Sequence, residues 1–267
     1  MKRLNGQQVM DWSREDLEPI MLFTDRDQRL YPFFSELLFA PGCSSRGRYY
    51  CDLYAGYRRA DKVDWDEWAE FLFQKDKMLD AAATVGSMYL QPETGIWIRL
   101  PYPLIDPSNM SMNIQRKTAL FDWISYVLYL WNLYRPSSQL ALRGFAWGRE
   151  SIPAHDVELA TQCNELIQEL GYETLWMANF RSLHLMEWRK MNFSKIVVFP
   201  NYTGNTEFGP EWLSNTALFA ALNHMGIQMV MGQGELYHPD HFRHYYGFMK
   251  EYLHQGGWGP ILYRFPN

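Results

Sequence analysis

Cysteine is scarce in this chain: three residues in 267, at Cys43, Cys51 and Cys163. An odd number without metal-type spacing excludes a zinc ribbon and a disulfide-dense scaffold. Cys43 and Cys51 are near enough in sequence to bridge a loop, and free thiols are the simpler expectation. Long apolar runs are also missing. None approaches the ~18 residues of a membrane-spanning helix. The segment Met1 to Asp16 is polar and lacks the apolar stretch of a signal peptide. The chain therefore reads as cytoplasmic as written, although a secreted form with its signal removed would look the same. Sequons at Asn109, Asn192 and Asn201 mean little without a secretion signal. Positive charge is not in excess: 25 Lys+Arg stand against 30 Asp+Glu, a net charge of −5. That argues against a general nucleic-acid binder, which needs a basic face. No glycine-rich dinucleotide loop follows the first expected strand. A P-loop and a GxSxG nucleophile motif are absent as well.

What the chain does have is apolar content, 47%, with 11 Trp and 17 Tyr. Strand-like and helix-like runs alternate along its length. Expected strands are Pro19–Thr24, Phe33–Ala40, Ile96–Leu100, Leu140–Trp147, Thr174–Met177, Lys195–Phe199, Ile227–Met231 and Pro260–Phe265. Helical periodicity lies between most of them, as over Lys77–Leu90 and Asn113–Tyr134. Such alternation predicts parallel strands with helical crossovers. The expected fold is a single α/β domain over residues 1–267, a (β/α)8 TIM barrel. Its last helix is missing or replaced by the N-terminal segment, with residues 1–17 as an extension and 41–64 as a long rim loop. A doubly wound open sheet is the alternative.

Two glutamates stand out because each closes an apolar run. Glu150 ends Gly144-Phe-Ala-Trp-Gly-Arg-Glu150, and Glu235 ends Met231-Gly-Gln-Gly-Glu235. In a closed barrel both would project from the carboxyl-terminal rim, after the fourth and seventh strands. Two facing carboxylates are the minimum for acid/base hydrolysis of a glycosidic bond. The alternatives are an exposed loop glutamate for Glu150 and a helix-dipole charge for Glu235. Residues 144, 146 and 148 are small and share period-two parity with Glu150, which would leave room at the rim. Other polar or aromatic groups at strand ends suit a polyhydroxylated ligand: Asp25, Arg99, Tyr102, Trp147, Asn179, Arg181, Asn201, Tyr202 and Gln233. Aromatic rings can stack on the apolar faces of pyranoses. His238, Asp240, His241 and His244 make an H-P-D-H-x-x-H cluster. It fails the HExxH spacing, and a solvated first helical turn explains it better than a zinc site.

The stretches Gly144-Phe-Ala-Trp147 with a following glutamate, and Phe199-Pro-Asn-Tyr202, resemble segments of the bacterial domain-of-unknown-function 4855 family. Asp64-Trp65 ahead of a helix and Pro101-Tyr-Pro103 after the third strand agree in order. The resemblance spans most of Ile20 to Phe265. It implies a glycoside-hydrolase-like barrel. By position, it makes Glu150 the acid/base and Glu235 the nucleophile of a retaining mechanism. One departure is Arg149, where the retaining clan usually places Asn.

The expected function is hydrolysis of a glycosidic bond in a poly- or oligosaccharide. No cofactor or metal is needed, and neither nucleic acid nor membrane is expected as partner. Glu150 must carry the proton, which burial near Trp147 or the charge of Glu235 would favour and Arg149 oppose. A non-catalytic carbohydrate-binding barrel is the second reading, and a metal-dependent hydrolase on the histidine cluster the third.

Overall fold

The structure is a computed structural model. It describes residues 2–4, 7–9, 12–50, 58–88, 93–103, 112–134, 136–202, 209–230 and 240–264. Gln233, Glu235 and His238, together with residues 51–57 of the rim loop, Cys51 among them, lie outside the described residues. The chain divides into two compact units, Met1–Gly148 and Arg149–Asn267.

The first unit begins with a short hairpin, β1 (Lys2–Leu4) and β2 (Gln7–Val9). Helix α1 (Arg14–Met21) follows, then β3 (Leu22–Thr24) and β4 (Leu30–Pro32), which pair antiparallel. The parallel part holds β5 (Glu36–Phe39), β6 (Thr94–Arg99) and β7 (Leu140–Ala146), in that order. Helices α2 (Lys62–Phe73), α3 (Met78–Gly86) and α4 (Met112–Tyr134) complete it. Helix α2 packs on α4 and on α3, and α3 on α1. The apolar stripe of α4 explains that packing. Arg116, Leu120, Trp123, Ile124 and Val127 recur at helical spacing and are all buried.

The second unit carries α5 (Val157–Glu169), β8 (Glu173–Asn179), β9 (Lys195–Phe199), α6 (Glu211–Leu222), β10 (Gly226–Val230), α7 (His241–His254) and β11 (Ile261–Arg264). Strands β8 to β11 are parallel and neighbour one another in chain order. The interiors of β8, β9 and β10 are almost wholly buried runs such as Ile196–Phe199, as expected for parallel strands covered on both faces. Helices α6 and α7 pack against each other and against β10. Helix α5 ends at Gly171, whose φ of +85° is the left-handed conformation that glycine adopts without penalty.

The closed eight-stranded barrel is overturned. Among the described residues the parallel strands number seven and form an open sheet rather than a closed barrel. The error lies in the first expected strand, Pro19–Thr24. Its first half, residues 19–21, closes helix α1, and the remaining Leu22–Thr24 joins a separate two-stranded ribbon. The helix starts here because the Asp16 carboxylate accepts from both the Ser13 backbone N–H (3.0 Å) and the Ser13 hydroxyl (2.8 Å). Helix α1 packs on α3 and buries Leu17 and Met21. Strand β7 is therefore the third strand of the parallel sheet, not the fourth. The β6–β7 register slips between Ile96 and Trp97, leaving Arg143 as an extra residue.

Candidate functional site

The second unit gathers its polar groups at the carboxyl ends of β8 to β11. Asn179 closes β8, and Asn201 follows β9 by two residues. Their side-chain amides bond reciprocally. Asn179 Nδ2 donates to Asn201 Oδ1 at 2.7 Å, and Asn201 Nδ2 donates to Asn179 Oδ1 at 2.6 Å. Asn201 holds a left-handed backbone, φ +59°, directly after Pro200. Asparagine tolerates that conformation better than other side-chain-bearing residues.

Glu150 is fixed beside this pair through its backbone. Its carbonyl accepts from the Asn179 N–H at 2.9 Å and from the Ser182 hydroxyl at 2.5 Å. Its carboxylate, 30% exposed, meets Arg264 Nη1 at 3.3 Å. Arg149, expected to oppose a proton on Glu150, is directed elsewhere. It lies 3.8 Å from the buried Asp156 carboxylate, while its carbonyl accepts from Trp176 Nε1.

Tyr202 turns inward and is buried. Its hydroxyl shares a 2.8 Å hydrogen bond with His244 Nδ1, and its ring stacks on His241 at 4.3 Å. Burial, helped by the Glu211 and Asp240 carboxylates, pushes the Tyr202 hydroxyl above the usual tyrosine range. The histidines thus belong to an aromatic cluster with Tyr202 and Tyr245. Among the described residues no group of three or more His, Cys, Asp and Glu side chains could hold a metal ion. Arg181 lies over the face of Trp212, 4.6 Å from the ring centroid. The Trp212 Nε1 donates to the Pro200 carbonyl, and Phe180 packs edge-on against the same indole.

The remaining expected site residues lie in the first unit. Arg99, at the end of β6, donates from Nη2 to the Gly148 carbonyl at 2.8 Å. Gly148 has no room for a side chain, because a Cβ there would sit 2.6 Å from the Leu100 carbonyl oxygen. Trp147 is 2% exposed and presents no ring face to a ligand; its Nε1 has no hydrogen-bond partner among the described residues. Tyr102 is also buried, its hydroxyl accepting from Arg116 Nη2 at 3.3 Å. Asp25 caps the β3–β4 turn, taking the N–H groups of Asp27 and Arg29 at 2.9 Å each. It follows an antiparallel ribbon rather than a parallel strand, so the expected rim position is lost. Gln233 and Glu235 lie in the segment that follows β10, outside the described residues.

Sequence reasoning missed Arg264, Ser182, Trp212 and Arg116. Two of them carried a signal. Arg264 is the last residue of the last strand, and Arg116 is a lone cation in phase with the apolar stripe of α4.

Together these features define an α/β protein with a polar cluster over the carboxyl ends of its parallel strands. The chain belongs to the family described as Domain of unknown function (DUF4855), whose model matches residues 4–259. No curated protein and no solved structure matches it. No helix among the described residues is long and apolar enough to cross a membrane.

Proposed function

We propose that the chain hydrolyses a glycosidic bond in a poly- or oligosaccharide, with Glu150 as one of two working carboxylates. The observation that carries this reading is the placement of Glu150. Its backbone is pinned by Asn179 and Ser182 at the end of β8, and its partly exposed carboxylate reaches Arg264 at the end of β11. Strand β10, one of the two between them, leads into the segment bearing Gln233 and Glu235. Ligands of open parallel sheets bind outside the carboxyl ends of the strands. The Asn179–Asn201 amides add donors and acceptors suited to sugar hydroxyls.

In this mechanism Glu150 gives up its contact with Arg264 when it carries the proton for the leaving oxygen. Glu235 attacks the anomeric carbon or activates water. Carboxylates about 5–5.5 Å apart would retain configuration, and about 6.5–9.5 Å would invert it.

The test is release of reducing ends from a panel of neutral and acidic polysaccharides. Glu150→Gln and Glu235→Gln are each expected to lower turnover at least a thousandfold while leaving the thermal midpoint close to wild type. A double variant with full activity would refute the assignment. Binding without turnover by the wild type would support the second reading, a non-catalytic glycan-binding protein. The Glu150–Arg264 ion pair favours that reading, since an ion-paired carboxylate is an acceptor for hydroxyls rather than an acid.

A further inference from the structure

Arg99 ends β6 as a half-buried cation with no anion beside it. Its Nη2 donates to the Gly148 carbonyl at 2.8 Å, and among the described residues that is its one hydrogen-bond partner. No carboxylate among the described residues pairs with it. Its Nε is fully enclosed and has no acceptor. Other arginines of the chain are held by acids. Asp61 and Asp64 hold Arg46 and Arg48, Asp156 lies beside Arg149, and Glu150 meets Arg264. The contrast carries a cost, because a desolvated charge without a partner is unfavourable and an enclosed N–H without an acceptor adds to it. The neighbouring side chains supply no remedy. Arg99 lies opposite Ala146 on β7, and Trp97, two residues back on the same face, lies opposite Gly144. Glu36 is in register with Gly95 on that face, and its carboxylate accepts from Trp97 Nε1 at 2.8 Å. A second enclosed donor without an acceptor, Trp147 Nε1, follows the end of β7.

We propose that Arg99 binds a small oxyanion, a carboxylate, phosphate or sulfate group, at the carboxyl end of β6. Open parallel sheets take their ligands outside the carboxyl ends of the strands. A guanidinium holds such a group through two parallel N–H bonds. Nη2 carries one hydrogen on each donor edge, so whichever one the Gly148 carbonyl takes, the other edge keeps a complete pair. The same bond fixes the guanidinium before a ligand arrives. Gly148 can come this close because it has no Cβ, which would sit 2.6 Å from the Leu100 carbonyl oxygen. The site binds and orients, and no covalent bond is made there. It is built from the first unit alone and does not depend on the glycan reading.

The experiment is thermal unfolding of the full chain in sodium acetate, phosphate or sulfate, each against sodium chloride of equal ionic strength. Excluded solutes such as sulfate raise the midpoint of any protein, so the readout is the difference between wild type and Arg99→Gln. Over a titration to about 50 mM anion, wild type is expected to gain about 2–4 °C more than the variant, the shift that a roughly tenfold excess over the dissociation constant gives. Arg99→Lys keeps the charge without the paired donors and is expected to recover only part of that gain. A gain with acetate alone identifies a carboxylate ligand, and with phosphate or sulfate alone a tetrahedral one. Equal gains in wild type and Arg99→Gln, with every anion, would overturn the inference. In plain chloride Arg99→Met is expected to unfold within about 4 °C of wild type, since it removes an unpaired cation and one hydrogen bond. It also replaces Arg99→Gln in the comparison where that variant does not fold. A larger fall for Arg99→Met would show that a carboxylate of the chain already holds Arg99, and would likewise overturn the inference.

Discussion

Glu150 and Arg264 meet at 3.3 Å although their backbones belong to opposite sides of the second unit. The Glu150 carbonyl is bonded to the end of β8, and Arg264 ends β11, three strands away. In a flat sheet three strand spacings amount to about 14 Å, more than the two side chains comfortably span. The contact therefore reports that β8 to β11 draw together over their carboxyl ends, concentrating polar groups there. The pair itself is half exposed, so it contributes little to stability. Arg264→Gln is expected to change the unfolding free energy by less than about 1 kcal/mol. Urea unfolding checks this, and a loss of several kcal/mol would mean that the pair holds the unit closed.

The Asn179–Asn201 pair has a backbone component that mutation can separate. Asn201→Ala removes both amide bonds and also forces alanine into a left-handed conformation at φ +59°. Asn201→Gly removes the same bonds without that strain. Alanine is expected to be less stable than glycine at this position by about 1 kcal/mol. Asn179→Ala, with no positive φ, should cost only the lost hydrogen bonds, about 1–2 kcal/mol. Denaturant midpoints of the three variants decide the order, and equal values for alanine and glycine would contradict it.

In the first unit the Asp64 side chain is fully buried. Its carboxylate accepts from Arg46 Nε at 2.7 Å and from the Asp61 backbone N–H at 2.9 Å, with Arg48 at 3.7 Å. Asp61 pairs with both arginines in turn, so the loop around Arg46–Arg48 is clasped to the first turn of α2. Arg46 and Arg48 are part exposed, 39% and 31%, and keep Asp61, so losing Asp64 strands mainly the Asp61 N–H. Asp64→Ala is expected to cost about 1–3 kcal/mol. Asp64→Asn, which keeps acceptor capacity toward the Asp61 N–H, should cost less. Thermal unfolding distinguishes them, and a near-neutral Asp64→Ala would show that the clasp is not needed.

Much of this architecture was legible in the residues. Seven of the eight expected strands correspond to β5–β11, because buried parallel strands are short apolar runs between turn signals. The eighth failed at Pro19, read as the start of a strand when the Ser13–Asp16 cap had already begun a helix. That one error changed the fold class, since an open sheet and a closed barrel differ by a single strand. Site residues fared unevenly for a related reason. Asn179 and Asn201 follow strands that were identified, so their position came with the strand. Trp147, Tyr102 and Asp25 are also near strand ends, but burial or turn capping decides what they do, and neither shows in spacing. Arg264 shows the converse. A partner from three strands away depends on how the sheet curves, which no local pattern records.

Cys163 offers a test of burial that is independent of function. It lies on α5 with its side chain fully enclosed, and burial pushes its thiol up to about 12 from an ordinary value of 9.0. Iodoacetamide near neutral pH is therefore expected to leave the Cys163 peptide unmodified in the native protein and to modify it in guanidinium. The same shift sets a pH dependence. The folded thiol holds its proton over a range in which the unfolded thiol has lost it. Stability is thus intact below the unfolded value and falls as pH rises above it, by about 1.4 kcal/mol per unit for one such group. Tyr50 and Tyr245, whose hydroxyls are also pushed up by burial, add to the decline in the same direction. Urea midpoints measured from about pH 8 to about pH 10.5 should fall for the wild type and fall less steeply for Cys163→Ala, which removes one titrating group and leaves the tyrosines. Parallel curves for the two proteins would mean that Cys163 does not titrate on unfolding in this range, and rapid native labelling would mean that α5 opens far more readily than its packing indicates.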